Sequence, residues 1–191
     1  GFARLFNGND LQGWVGDKSG YVVENGIITF KPEQSEGGQL FTENQYGDFK
    51  FRFEFQLTPG ANNGLAIRTP MGGHAAYEGM EIQILDNTAQ IYKDLNDYQY
   101  HGSVYGVIPA KRGYLKPVGE WNEEEVYIRG NHIRIKLNGH TIVEGNLEEA
   151  SENGTPDGRD HPGLERDKGR IGFCGHGSVV SFRNIRIKSL D

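Results

Sequence analysis

The chain holds a single cysteine, Cys174, in 191 residues, so no intrachain disulfide can close and no thiolate cluster can hold a metal. Cysteine therefore leaves the redox compartment open. No run of 18 or more apolar residues occurs, which gives no candidate for a membrane-spanning helix. Any signal peptide is expected to lie outside these residues, because Gly1-Phe2 opens no charged and hydrophobic leader. Positive charge is sparse as well, with 20 Lys and Arg against 26 Asp and Glu, a formal charge of -6 and no basic stripe. That balance argues against a nucleic-acid partner. There is no Ser-centred nucleophile elbow, no glycine-rich phosphate loop, and no helical periodicity beyond a short turn expected at 147–150.

What remains is glycine, 28 residues without a fixed period, set between short β-branched and aromatic runs. This is the composition of a turn-rich all-β domain. Asn25-Gly26 separates Tyr21-Val22-Val23-Glu24 from Ile27-Ile28-Thr29-Phe30, and Asn138-Gly139 separates Ile133-Arg134-Ile135-Lys136-Leu137 from Thr141-Ile142-Val143-Glu144. Each reads as a two-residue hairpin. Between Phe49 and Leu57 aromatic and polar residues alternate strictly, so Phe49, Phe51, Phe53, Phe55 and Leu57 form one buried face. Ten to fourteen such strands without a βαβ rhythm predict an antiparallel two-sheet sandwich of jelly-roll type. The whole of 1–191 reads as one domain, with a polar, broken loop insertion at about 147–168 that has to lie over the surface.

One stretch departs from simple patterning. In Tyr77 to Asn87, Y-E-G-M-E-I-Q-I-L-D-N, the polar residues Glu81, Gln83 and Asp86 interrupt an apolar strand. In a regular strand Glu81 and Gln83 share a face and Asp86 points to the other. A β-bulge between Gln83 and Asp86 brings all three together. The bland alternative is an edge strand with a solvated face that ends in an Asp86-Asn87 turn.

Several motifs occur together and in order: L-F-N-G-N-D-L-Q-G-W at 5–14, N-N-G-L-A-I-R at 62–68, the stretch above, G-S-V-Y-G-V at 102–107, K-P-V-G-E-W-N at 116–122, and the ending G-R-I-G-F-C-G-H-G-S-V-V-S-F-R-N-I-R-I-K. In these the chain resembles, over nearly its whole length, the 3-keto-disaccharide hydrolase domain family, formerly a domain of unknown function. The resemblance implies a concanavalin A-like lectin/glucanase sandwich. It also implies an exported bacterial protein, periplasmic or at the cell surface, with a carbohydrate as its partner. The same superfamily contains the family 16 glycoside hydrolases, whose Glu-x-Asp-x-x-Glu signature has the spacing of E-I-Q-I-L-D here. Gln83 cannot ionise and Asp86 is one methylene short, so the analogy is to location more than to mechanism.

The activity implied is cleavage of a glycoside already oxidised to a ketone at C3, by removal of the acidified C2 proton and elimination or hydrolysis of the aglycone. That chemistry needs a base near C2, an electrophile on the keto oxygen and an acid near the leaving oxygen. The resemblance suggests Glu81 or Asp86 as base, Tyr105 or His176 as acid, and Arg68, Gln83, Lys116 and His161 as substrate contacts. A divalent cation held by Glu81, Asp86 or His161 is the alternative electrophile. A non-catalytic carbohydrate-binding module is the competing reading on the same fold. Trp14 and Trp121 read as packing anchors, Tyr98 and Tyr100 as sugar platforms or loop pins, and His74, His132 and His140 as surface residues.

Overall fold

A computed structural model describes all 191 residues. Thirteen strands make the fold: β1 (Ala3–Arg4), β2 (Trp14–Gly16), β3 (Tyr21–Glu24), β4 (Ile27–Phe30), β5 (Gln39–Thr42), β6 (Phe49–Leu57), β7 (Asn62–Thr69), β8 (Met80–Leu85), β9 (Trp121–Arg129), β10 (His132–Leu137), β11 (His140–Asn146), β12 (Arg170–Cys174) and β13 (Val180–Ser189). Two short helices, α1 (Ala75–Glu78) and α2 (Leu147–Ser151), join them. The larger sheet runs β11-β10-β9-β6-β13-β4-β3, with β1 paired to β13, and the smaller runs β2-β5-β12-β7-β8. Every named strand pair is antiparallel. This is the expected jelly-roll sandwich.

Local chemistry explains the elements. Asn25 and Asn138 take the positive φ values of 52° and 50° that two-residue hairpin loops demand, each followed by a glycine at 75° or 84°. On β6 the five apolar side chains all point inward and are buried. Each contributes roughly 2 kcal/mol by leaving water. They meet Phe173, Phe182, Leu65, Ile67, Ile82 and Ile84 in a continuous core between the sheets. Trp14 is fully buried, donates to the Leu5 carbonyl at 2.9 Å and stacks on Phe173, which makes it a packing anchor. Trp121 sits under the Arg183 guanidinium on the larger sheet.

The strand bearing Glu81 and Gln83 is regular. Pairing of β8 with β7 runs unbroken from Met80↔Ile67 to Leu85↔Asn62. The bulge of this region lies on β7, where Ala66 pairs with Gly172 but Thr69 with Arg170, an extra residue on the β7 side. Arg68 takes φ 47° within it. The free edge of β8 is covered by the irregular segment 100–105, through Gln83 N–H to the Ser103 carbonyl, Gly102 N–H to the Gln83 carbonyl and Tyr105 N–H to the Glu81 carbonyl. A loop without periodicity thus replaces a sixth strand. The insertion at 147–168 starts with α2, capped by the Asn146 side chain, and its later part packs against α1.

Candidate active site

Alternation on β8 sends Met80, Ile82 and Ile84 into the core and Glu81, Gln83 and Leu85 to the opposite face. There they form the floor of a cavity of about 290 Å³, together with Asn62 of β7. One wall comes from the α1 segment, with His74, Ala76 and Tyr77; the other comes from the loop after β8, with Tyr92, Leu95, Gln99 and Tyr105. His176, in the turn between β12 and β13, completes the lining.

Glu81 is the chemically unusual group. It is 9% exposed, and no protein donor reaches its carboxyl, while burial without compensation pushes its pKa from an ordinary 4.5 to about 7. Its neighbour Gln83 donates from Nε2 to the Gln99 carbonyl at 2.9 Å. Gln99 in turn donates from Nε2 to the Tyr105 hydroxyl oxygen at 3.1 Å, and accepts at Oε1 from the Asn96 amide. Because Gln99 supplies the hydrogen in that bond, the phenolic hydrogen of Tyr105 is left to point elsewhere. His176 stands at the open rim. Its pKa is held below the usual imidazole value by partial burial and then by the neighbouring His74. His74 packs on the Tyr77 ring, centroids 4.8 Å apart.

Of the residues singled out in the sequence, Glu81, Gln83, Tyr105 and His176 line this cavity. Four others are placed differently. Asp86 lies beyond the end of the regular strand, where no bulge turns it toward Glu81. Its Oδ2 accepts from Gly60 N–H at 2.8 Å and its Oδ1 from the amide and hydroxyl of Thr88 at 3.0 and 2.6 Å, so its carboxylate caps a turn. Arg68 is turned away by the β7 bulge and buried. It donates to the carbonyls of Gly47, Gly130 and Arg166 and to Asp48 Oδ1, which fastens three loops instead of meeting a ligand. Lys116 is exposed, and only its backbone is engaged, with Asn122.

His161 is buried behind the wall, not over the groove. Its Nδ1 faces the Ala76 carbonyl at 3.0 Å and its Nε2 both oxygens of Asp157 at 2.9 Å. The imidazole therefore buttresses the wall from behind, its ring 5.0 Å from that of Tyr77. No three His, Cys, Asp or Glu side chains converge as metal ligands, so Glu81, Asp86 and His161 do not form the cation site considered from the sequence. Tyr100 pins its loop, donating to the Tyr92 carbonyl at 2.6 Å, and Tyr98 packs edge-on against Tyr105.

Sequence reasoning assigned no site role to Asn62, Tyr77, Tyr92 and Gln99 and marked His74 as a surface residue, and all five line the cavity. Signals for them existed. Asn62 opens the N-N-G motif, and Tyr92 and Gln99 lie in a long aperiodic loop of the kind that often carries function. His74 follows Gly72-Gly73, which gave no indication that its segment folds back onto β8.

Two antiparallel sheets make a jelly-roll sandwich, and a carboxyl and tyrosines line a pocket on the outer face of the smaller one. Within that class the chain belongs to the family of 3-keto-alpha-glucoside-1,2-lyase-like domains, which matches residues 1–188. It is 27% identical, over its full length and 79% of the relative's, to a 3-keto-disaccharide hydrolase of Bacteroides thetaiotaomicron. Two solved structures from Parabacteroides distasonis, classed with the glycosyl hydrolases, share the fold throughout. One superposes with a TM-score of 0.87 at 28% identity over all of both chains. The other gives 0.83 at 25% identity over all of this chain and 95% of its own.

Proposed function

We propose that this protein cleaves glycosides carrying a ketone at C3, with Glu81 as the base that removes the C2 proton. The observation that carries this reading is a carboxyl on the cavity floor that has no protein hydrogen-bond donor and a pKa of about 7. A base is most effective when its proton affinity lies near the working pH, and an isolated, poorly solvated carboxylate meets that need. A carbohydrate-binding module can use a carboxylate as an acceptor for sugar hydroxyls, but it gains nothing from one whose pKa is raised to about 7, which costs binding strength at neutral pH and suits a base. The name of the Bacteroides relative supports the same substrate class.

In the proposed step the Glu81 carboxylate takes the proton from C2, and the electron pair of that bond forms an enolate with the C3 ketone. The enolate then expels the aglycone oxygen from C1 as C1=C2 forms, the leaving oxygen takes up a proton, and water added across the new double bond completes hydrolysis. Tyr105 is the donor for the developing enolate oxygen, because its own acceptor site is occupied by Gln99. His176 and His74, at the rim, are the groups able to deliver a proton to the departing oxygen. Asn62 and Gln83 supply polar contacts for sugar hydroxyls. The reading is tested by following a 3-keto-glucoside in D₂O by NMR: wild type is expected to exchange or eliminate the C2 hydrogen, and Glu81→Gln to do neither. Retention of the C2 hydrogen throughout turnover by wild type would overturn the mechanism.

A further inference from the structure

The Glu81 side chain does not stand upright on its strand. It lies across β7 over Gly64, so that a Cβ built on Gly64 would stand 2.7 Å from Glu81 Cδ and 2.8 Å from Cγ, and closer still to Oε1. Carbon atoms not bonded to each other stay more than about 3.4 Å apart, so even a methyl group cannot share this space with the carboxyl. Strand register makes the placement possible, since Gly64 pairs with Gln83 and Ala66 with Glu81, leaving two small residues side by side under the carboxyl. The Gly64 N–H is turned to Asn63 Oδ1 at 2.8 Å and gives Glu81 no hydrogen bond. Ala66, paired with Glu81, belongs to a small buried apolar cluster with Phe41, Ala75 and Cys174. The Cys174 thiol is pushed up by burial first and then by the charge of Glu81, which marks their proximity.

We propose that Gly64 is the positioning residue of this site, the missing side chain that leaves a slot on β7 in which the Glu81 carboxyl lies against the strand at the edge of the cavity. The proposal deepens the reading of Glu81 as the base and rests on it only for its catalytic consequence. Gly64 does not have a positive φ, so an alanine is compatible with its backbone. The three nearest obstacles to a Cβ all belong to Glu81. Relief is available in one direction, into the cavity, where water solvates the carboxylate.

The test is a ¹³C NMR titration of the Glu81 carboxyl in wild type and Gly64→Ala, which needs no substrate. In wild type the midpoint is expected at about 7, and in Gly64→Ala it moves down toward the ordinary 4.5. The acid limb of the pH–rate profile moves with it, and kcat/KM near neutral pH falls at least roughly tenfold, or about 1.4 kcal/mol of transition-state stabilisation. A midpoint that stays at about 7 in Gly64→Ala overturns the proposal. If wild type releases no aglycone while the midpoint still moves, the slot stands and the catalytic reading falls. Should Gly64→Ala fail to fold, Gly64→Ala with Glu81→Ala is decisive, because the double variant lacks the three atoms nearest the new methyl group. Its folding supports the slot, and its failure overturns it.

Discussion

Replacing Glu81 by glutamine is expected to make the protein more stable while abolishing its chemistry. The native state keeps the Glu81 proton up to about pH 7, whereas the unfolded chain releases it near 4.5. Between those values the native state binds more protons than the unfolded state, so stability falls as pH rises through this window and the loss is complete above about 7. Each pKa unit corresponds to about 1.4 kcal/mol, so at pH 8 the ionised carboxyl costs the fold about 3 kcal/mol. Glutamine is nearly isosteric and does not titrate. The stability difference in favour of Glu81→Gln should therefore be near zero below pH 4.5 and reach about 3 kcal/mol at pH 8. For a chain of this size that is roughly 6–12 °C in Tm. Urea unfolding of both proteins across that pH range measures it. A variant that is less stable than wild type at pH 8, or a difference that does not change with pH, would refute the account of Glu81 as an uncompensated carboxyl.

Tyr105→Phe removes the proposed donor but only one partner of Gln99, so steady-state kinetics on a 3-keto-glucoside should show kcat/KM falling roughly 10- to 100-fold while Tm changes little. Asp86→Ala should do the opposite, because it strips acceptors from Gly60 and Thr88: a loss of about 1–3 kcal/mol in urea unfolding, with kcat retained in the folded fraction. Arg68→Met leaves three carbonyls and Asp48 without their cation and is expected to cost about 3 kcal/mol or more, read in the same unfolding assay. Lys116→Ala, at an exposed side chain, should leave both kinetics and stability within error of wild type.

The sheets were legible because their determinants are local. Strict alternation from Phe49 to Leu57 and two Asn-Gly pairs specify strands and hairpins whatever surrounds them. The site was legible only where it follows from alternation: Glu81 and Gln83 share a face on any regular strand. The E-I-Q-I-L-D spacing suggested a bulge before Asp86, but the bulge belongs to the neighbouring strand. There Arg68 is held at positive φ by Gly47, Gly130 and Arg166, partners 21, 62 and 98 residues away. No local pattern encodes those contacts. His161 beside Pro162 looked like an exposed loop residue for the same reason, its burial depending on Ala76, 85 residues distant. The slot under Glu81 depends on the register that sets Gly64 and Ala66 beneath it.

The central claim, that Glu81 acts on the proton made acidic by a C3 ketone, is tested most directly by comparing aglycone release from a 3-keto-glucoside and from its unoxidised parent, with wild type and Glu81→Gln side by side. The account predicts release from the keto substrate alone, and only by wild type, with an acid limb near pH 7. Equal release from the unoxidised parent, or undiminished release by Glu81→Gln, would contradict it.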